Sequence, residues 1–167
     1  MSHPREADLS ALIGALVKAR IEFIVVGGAA AVIQGAPITT VDLDIVHRRT
    51  QENVDRLAAL LGQLDAYHRY DLAHRRIEPT RSELLGTGQI NLSTTLGPLD
   101  PLCELGPGQG YEELLADTET VSDGDVEIRV LSLEKLIEVK AATGRDKDRL
   151  VLPVLVATLR ERKNGST

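Results

Sequence analysis

A mixed α/β fold (α+β in the broader sense), with helices against a β-sheet of parallel and antiparallel strands, is predicted by three observations. Helical and strand periodicities alternate over roughly the first sixty residues. Phe23 to Val26 and Val126 to Leu131 are short β-branched runs bounded by turn residues. Gly97-Pro98 divides two further apolar stretches, which reads as a hairpin and therefore as antiparallel pairing. With 167 residues and 43% apolar composition the chain can bury one ordinary core. Residues 1–167 are accordingly expected to form one domain, its core spanning about residues 9–160.

Taken in order, Leu9, Leu12, Ile13, Leu16 and Val17 recur at three and four, predicting an amphipathic helix from Asp8 to Ala19. Phe23 to Val26 is a buried strand ending at Gly27-Gly28, and Ala29 to Gln34 is helix-compatible. Gly35 and Pro37 break the chain before a second strand, Val41 to Val46. Thr50 is placed to cap a helix whose buried face carries Val54, Leu57, Ala58 and Leu61. The stretch from Tyr67 to Arg81 has no clear period. The hairpin around Leu96-Gly97-Pro98 follows, then a loop at 106–110, a short helix from Tyr111 to Ala116 and the strand Val126 to Leu131. Ser132 caps a helix from Leu133 to Ala142. A last helix runs from Asp146 to Arg162, with Pro153 either kinking it or marking its first turn.

Composition narrows the function. A formal charge of -6 removes the global basic field that drives non-specific nucleic-acid binding, so any such contact needs a local patch. Cys103 is the only cysteine, which excludes an internal disulfide and a Cys-rich zinc site and fits a reducing cytoplasm. The opening MSHPREADLS has no leader pattern and no apolar stretch reaches about 18 residues, so a soluble cytoplasmic protein without a membrane partner is expected.

The chemistry concentrates in FIVVGGAAAVIQGAPITTVDLDIVH, residues 23–47. Alternation along a strand puts Asp42 and Asp44 on one side, about 7 Å apart, with Val41, Leu43 and Ile45 directed into the core. Two buried carboxylates repel and are expensive to desolvate, and a divalent cation between them removes that penalty. Hard oxygen ligands suit Mg2+, or Mn2+, which completes its shell with water and substrate phosphates. Gly27-Gly28, at a strand-to-helix turn, allows close backbone approach and offers free N–H groups to an anion. GGAAAVIQG matches neither the Rossmann fingerprint nor the P-loop, so nucleotide binding has to use another design.

An apolar strand, Gly27-Gly28, thirteen intervening residues and Asp42-Leu43-Asp44 resemble the nucleotidyltransferase superfamily of the DNA polymerase β type. VGGAAAVIQGAPITTVDLDIV is most similar to the small bacterial branch that includes AbiEii-type nucleotidyltransferase toxins. The resemblance implies a minimal nucleotidyltransferase fold with a mixed sheet, and Mg2+-dependent transfer of a nucleoside monophosphate from an NTP, ATP among them. It implies an RNA (tRNA) or protein acceptor, and for a toxin a cognate antitoxin partner. It also implies a third metal-binding carboxylate, best matched by Asp100 in GPLDPL with Glu104 the poorer match. LSLEKLIEVKAATGRDKD is similar to a helix and Gly-Arg turn of the same relatives, making Lys140, with Arg145 or Lys147, a triphosphate contact and Asp148 a support. The chain departs from that pattern at Ile38, where relatives carry Arg, at Val151, where they often carry Asp, and at Pro153. These departures keep open a second reading, a catalytically degenerate member that serves as a binding or regulatory partner.

Thr40, with Thr39, is a further candidate phosphate contact, although β-propensity explains both equally. YHRYDLAHRRIEPTR sets His68, Arg69, His74, Arg75, Arg76 and Arg81 among Tyr67 and Tyr70. It is either a nucleic-acid contact or a solvated charged face. His47 either supports the catalytic strand from behind or is a surface histidine, and Cys103 belongs in the core.

Overall fold

The structure, a computed structural model, describes residues 2–165. The apolar positions of the first helix fall on one face of α1 (Leu9–Lys18), whose start is fixed by Asp8 accepting from the Ala11 amide at 3.0 Å. Leu12 and Leu16 on that face are fully buried, while Leu9, Ile13 and Val17 are partly buried against the core. The chain continues through β1 (Phe23–Val26), α2 (Gly27–Ile33), β2 (Leu43–His47) and α3 (Gln51–Gln63). Thr50 caps α3 as its position suggests, its hydroxyl accepting from the Asn53 amide. The short elements β3 (Tyr67–His68), α4 (Arg81–Leu84), β4 (Leu92–Ser93), β5 (Leu99–Leu102) and α5 (Tyr111–Leu114) come next, and a 3-10 turn leads into β6 (Thr118–Asp123). After β7 (Val126–Leu131), Ser132 caps α6 (Leu133–Thr143), and α7 (Asp146–Asn164) closes the described chain.

Seven strands form one mixed sheet in the order β3-β4-β5-β2-β1-β7-β6. Its centre is parallel between β2 and β5 and between β1 and β7, and antiparallel between β1 and β2. The expected hairpin is β4–β5; Thr94 closes its turn by donating to the Gly97 carbonyl at 2.7 Å, and Gly97 has a φ of +101°. A side chain at Gly97 would collide with the backbone of Glu6 and Ala7. Helix α2 packs on β1 and β2 and against α6, which pairs with α7, while α1 lies against α3 and β7. Leucine, isoleucine, valine and alanine carry the core, and Cys103 lies within it.

Several elements differ from the expectation. Val41 is 55% exposed and precedes β2 instead of pointing inward, because its carbonyl accepts from the Ala7 amide at 2.8 Å and ties it to the N-terminal segment. Pro153 does not mark a first turn: α7 passes through it without a break, and its ring lies on the exposed side. Ile38 and Val151, already apolar departures from the family pattern in the sequence, pack against the core. Strands β3 and β6 and the capped turn α4 were not expected. No helix among the described residues is long and apolar enough to cross a membrane.

Candidate active site

Both sheet neighbours of β2 bring a site residue to the same end. Because β1 is antiparallel to β2, its last residue, Val26, lies opposite Asp44, and the chain leaves β1 there at Gly27. Because β5 is parallel to β2 with Asp44 and Asp100 in register, those two carboxylates share a face. Asp42 arrives from the bend just ahead of β2. One oxygen from each of Asp42, Asp44 and Asp100 lies within 4.8 Å of the others.

Gly27 has a φ of +63°, and a Cβ there would sit 2.5 Å from Asp44 Oδ2. Glycine is thus required both by the left-handed backbone and by the carboxylate packed over it. A Cβ on Gly28 would meet Thr40 Oγ1 at 3.0 Å. Thr40 in turn donates to the Asp42 carbonyl at 3.0 Å, so it joins the glycine turn to the first carboxylate. Helix α2 has only seven residues, and what it offers an anion is the free N–H groups of its first turn rather than a long dipole.

The cluster is electrostatically frustrated. Burial, with the neighbouring charges of Asp42 and Asp100, raises the pKa of Asp44 from 3.8 to about 7. Burial also pushes Asp100 upward, against the pull of Arg69. Asp44 Oδ1 is buried with no hydrogen-bond partner. An all-carboxylate donor set with an orphaned buried oxygen fits a hard divalent cation such as Mg2+ or Mn2+.

These shifts carry a pH prediction. Between about pH 4 and pH 7 the folded, metal-free protein keeps a proton that the unfolded chain has released, so its stability falls as pH rises through that window. A divalent cation bound at Asp44 would have to displace that proton. The rise in melting temperature on adding Mg2+ is therefore expected to be larger at about pH 8 than at about pH 5.5, read by thermal melts with and without the ion. An equal rise at both pH values contradicts metal binding at Asp44.

A residue that the sequence assigned to the basic stretch belongs to this cluster. Arg69 Nη1 donates to Asp100 Oδ1 at 2.9 Å and to the Leu92 carbonyl at 2.7 Å, and Nη2 donates to Asp100 Oδ2 at 3.1 Å. Nη2 also lies 3.9 Å from Asp42 Oδ2. The remaining charges of that stretch are extensively paired: Arg75 with Asp71, Arg81 with Asp55, His68 with Glu83 and Arg76 with Asp65. Arg76 also lies over the Tyr67 ring.

Other expected site residues lie elsewhere. His47 is fully buried, which overturns its surface alternative; its Nε2 bonds the Leu84 carbonyl and burial lowers its pKa. It sits opposite Phe23, three positions along β2 from Asp44. Lys140, on α6, bonds Asp148 at 3.2 Å. Asp148 is 1% exposed at the α6–α7 corner and also takes Thr143 at 2.6 Å and Arg145 at 2.8 Å. Burial opposes its charge, yet these bonds hold its pKa at about 2. Asp148→Ala leaves Lys140 without this partner and is expected to destabilise the protein by about 2–3 kcal/mol, measured by denaturant unfolding.

Among the solved structures this chain resembles are two nucleotidyltransferases. The lincosamide antibiotic adenylyltransferase LnuA, bound to lincomycin, superposes with a TM-score of 0.63 at 12% identity, covering 93% of this chain and 99% of that one. The "putative nucleotidyltransferase" TM1012 from Thermotoga maritima superposes with a TM-score of 0.54 at 16% identity, covering 96% and 97%. No protein-family model matches the chain, and no curated protein matches it significantly. At these identities the likeness is one of fold: the chain has a nucleotidyltransferase fold.

Proposed function

We propose that this protein is a Mg2+-dependent nucleotidyltransferase that moves a nucleoside monophosphate from an NTP to an acceptor hydroxyl. The observation that carries the reading is the convergence of Asp42, Asp44 and Asp100 beside Gly27-Gly28, with a buried Asp44 oxygen lacking any partner. Asp42, Asp44 and Asp100 would hold the metal, and the Gly27 and Gly28 amides, with Thr40, would face the triphosphate; Lys140, expected as a further contact, would have to leave Asp148 to reach it. A divalent cation held by these carboxylates would supply Lewis-acid activation of the acceptor hydroxyl and charge neutralisation at the pyrophosphate leaving group. The protein groups keep nucleotide and acceptor aligned, which converts a bimolecular encounter into an oriented one.

On the acceptor side we propose RNA, tRNA in particular, or a protein hydroxyl, with a toxin role and an antitoxin partner following from the AbiEii-like motif. The pairing of the basic side chains of 67–81 with nearby carboxylates weakens the RNA case. LnuA, an adenylyltransferase of lincosamide antibiotics, adds a small-molecule acceptor to the set. Incubation with each NTP labelled at its α-phosphate, in the presence of tRNA, cell protein or small hydroxylated compounds, tests this directly. Label appearing in one acceptor class with Mg2+, and absent with Asp42→Ala, supports transfer. The grip of Arg69 on Asp100 favours a second reading, a degenerate fold kept for binding, in which no acceptor is labelled under any condition.

A further inference from the structure

We propose that Arg69 is a displaceable internal counter-ion of the acidic cluster, occupying Asp100 until a divalent cation takes that carboxylate. This rests on the metal-binding reading above and concerns how the site is loaded.

The geometry is a planar fork. Both guanidinium Nη atoms engage Asp100, one on each oxygen, and the same group approaches Asp42 at 3.9 Å. A cation bound through Asp100 therefore has to share a carboxylate already claimed at both oxygens and sit beside a fixed positive charge. The occupation is one-sided, since Asp44 Oδ1 is left without a partner. Further loading at Asp100 requires Arg69 to leave.

Departure does not strand the guanidinium. Its backbone amide is anchored to the Asn91 carbonyl at 2.9 Å, so the side chain can move without the strand. Nη1 also holds the Leu92 carbonyl, and the guanidinium carbon lies 4.8 Å from the centre of the Tyr70 ring, whose side is open to solvent. Tyr70 and the Leu92 carbonyl give Arg69 a second resting place once Asp100 is taken. Arg69 follows β3, an edge strand of only two residues, where a side-chain rearrangement disturbs little of the sheet.

The test uses Mn2+ alone, titrated calorimetrically into the full chain without nucleotide. Arg69→Gln is expected to bind Mn2+ at least tenfold more tightly than the wild type. That gain is expected to vanish in Arg69→Gln/Asp100→Asn, and to be absent in Arg75→Gln, which removes an exposed charge away from the cluster. A folded Arg69→Gln with unchanged or weaker Mn2+ affinity overturns the proposal. If Arg69→Gln does not fold, Arg69→Lys keeps the charge but loses the fork and is expected to gain several-fold; no gain there overturns it equally. Mn2+ binding that is lost in Asp42→Ala/Asp44→Ala but indifferent to Arg69 leaves the metal site standing and sinks this inference alone. Absence of Mn2+ binding in every protein overturns both.

Discussion

Asp44→Ala is expected to abolish Mg2+-dependent nucleotide binding and to reduce nucleotidyl transfer by about three orders of magnitude while the fold survives. Asp44 is the central carboxylate of the cluster, opposite Val26 on one side and Asp100 on the other. Its removal deletes a buried oxygen that has no hydrogen-bond partner among the described residues. In a residue that serves stability, such a truncation lowers the melting temperature. Here the opposite is expected for the metal-free protein at about pH 8, because a buried carboxylate repelled by two others disappears. Transfer assays paired with thermal melts at that pH read both effects. Retained transfer, or a large loss of metal-free stability, contradicts the assignment.

Gly27→Ala carries the second large effect. The left-handed backbone at φ +63° costs an alanine about 1–2 kcal/mol, and its Cβ, 2.5 Å from Asp44 Oδ2, forces the carboxylate or the turn to move. Together these are expected to destabilise the protein by about 3–4 kcal/mol, a fall of roughly 10 °C in melting temperature for a chain of this size, and to remove nucleotide binding. The two contributions can be separated. In an Asp44→Ala background the 2.5 Å collision with Oδ2 is gone and only the 3.3 Å contact with the residue-44 Cβ remains, so the same substitution is expected to cost little beyond the backbone share of about 1–2 kcal/mol. Denaturant unfolding of the wild type, the two single variants and the double variant gives the coupling. Strict additivity means that Gly27 serves the turn and not the carboxylate.

The parts of this site that are legible in the sequence are those whose geometry is local. Gly27-Gly28 after an apolar run, and two aspartates one residue apart, carry their arrangement in their spacing. Asp100 was accessible through the resemblance, and its placement depends on the in-register parallel pairing of β2 with β5. In the sequence Arg69 is one cation of a basic stretch, because its partner Asp100 lies 31 residues away and is reached only through the β3–β4–β5 edge. A two-residue strand leaves no periodicity to detect. Val41 was misplaced for a related reason: alternation implied an inward side chain, but a bond from Ala7 holds its backbone outside the strand. Strand β6 is an edge strand with little apolar character, although Asp123-Gly124-Asp125 was a usable hairpin signal. Helix α4 likewise carries a full capping box, Thr80 with Glu83, on an element of only four residues.

The most direct measurement is calorimetric titration of ATP, GTP, CTP and UTP into the protein with and without Mg2+, beside Asp42→Ala/Asp44→Ala. It needs no knowledge of the acceptor. Binding of at least one nucleotide that depends on Mg2+ and is lost in the double variant is the expected result, and it identifies the carboxylates as a metal platform for a nucleotide. Nucleotide binding that ignores both Mg2+ and the two aspartates, or no binding at all, contradicts it.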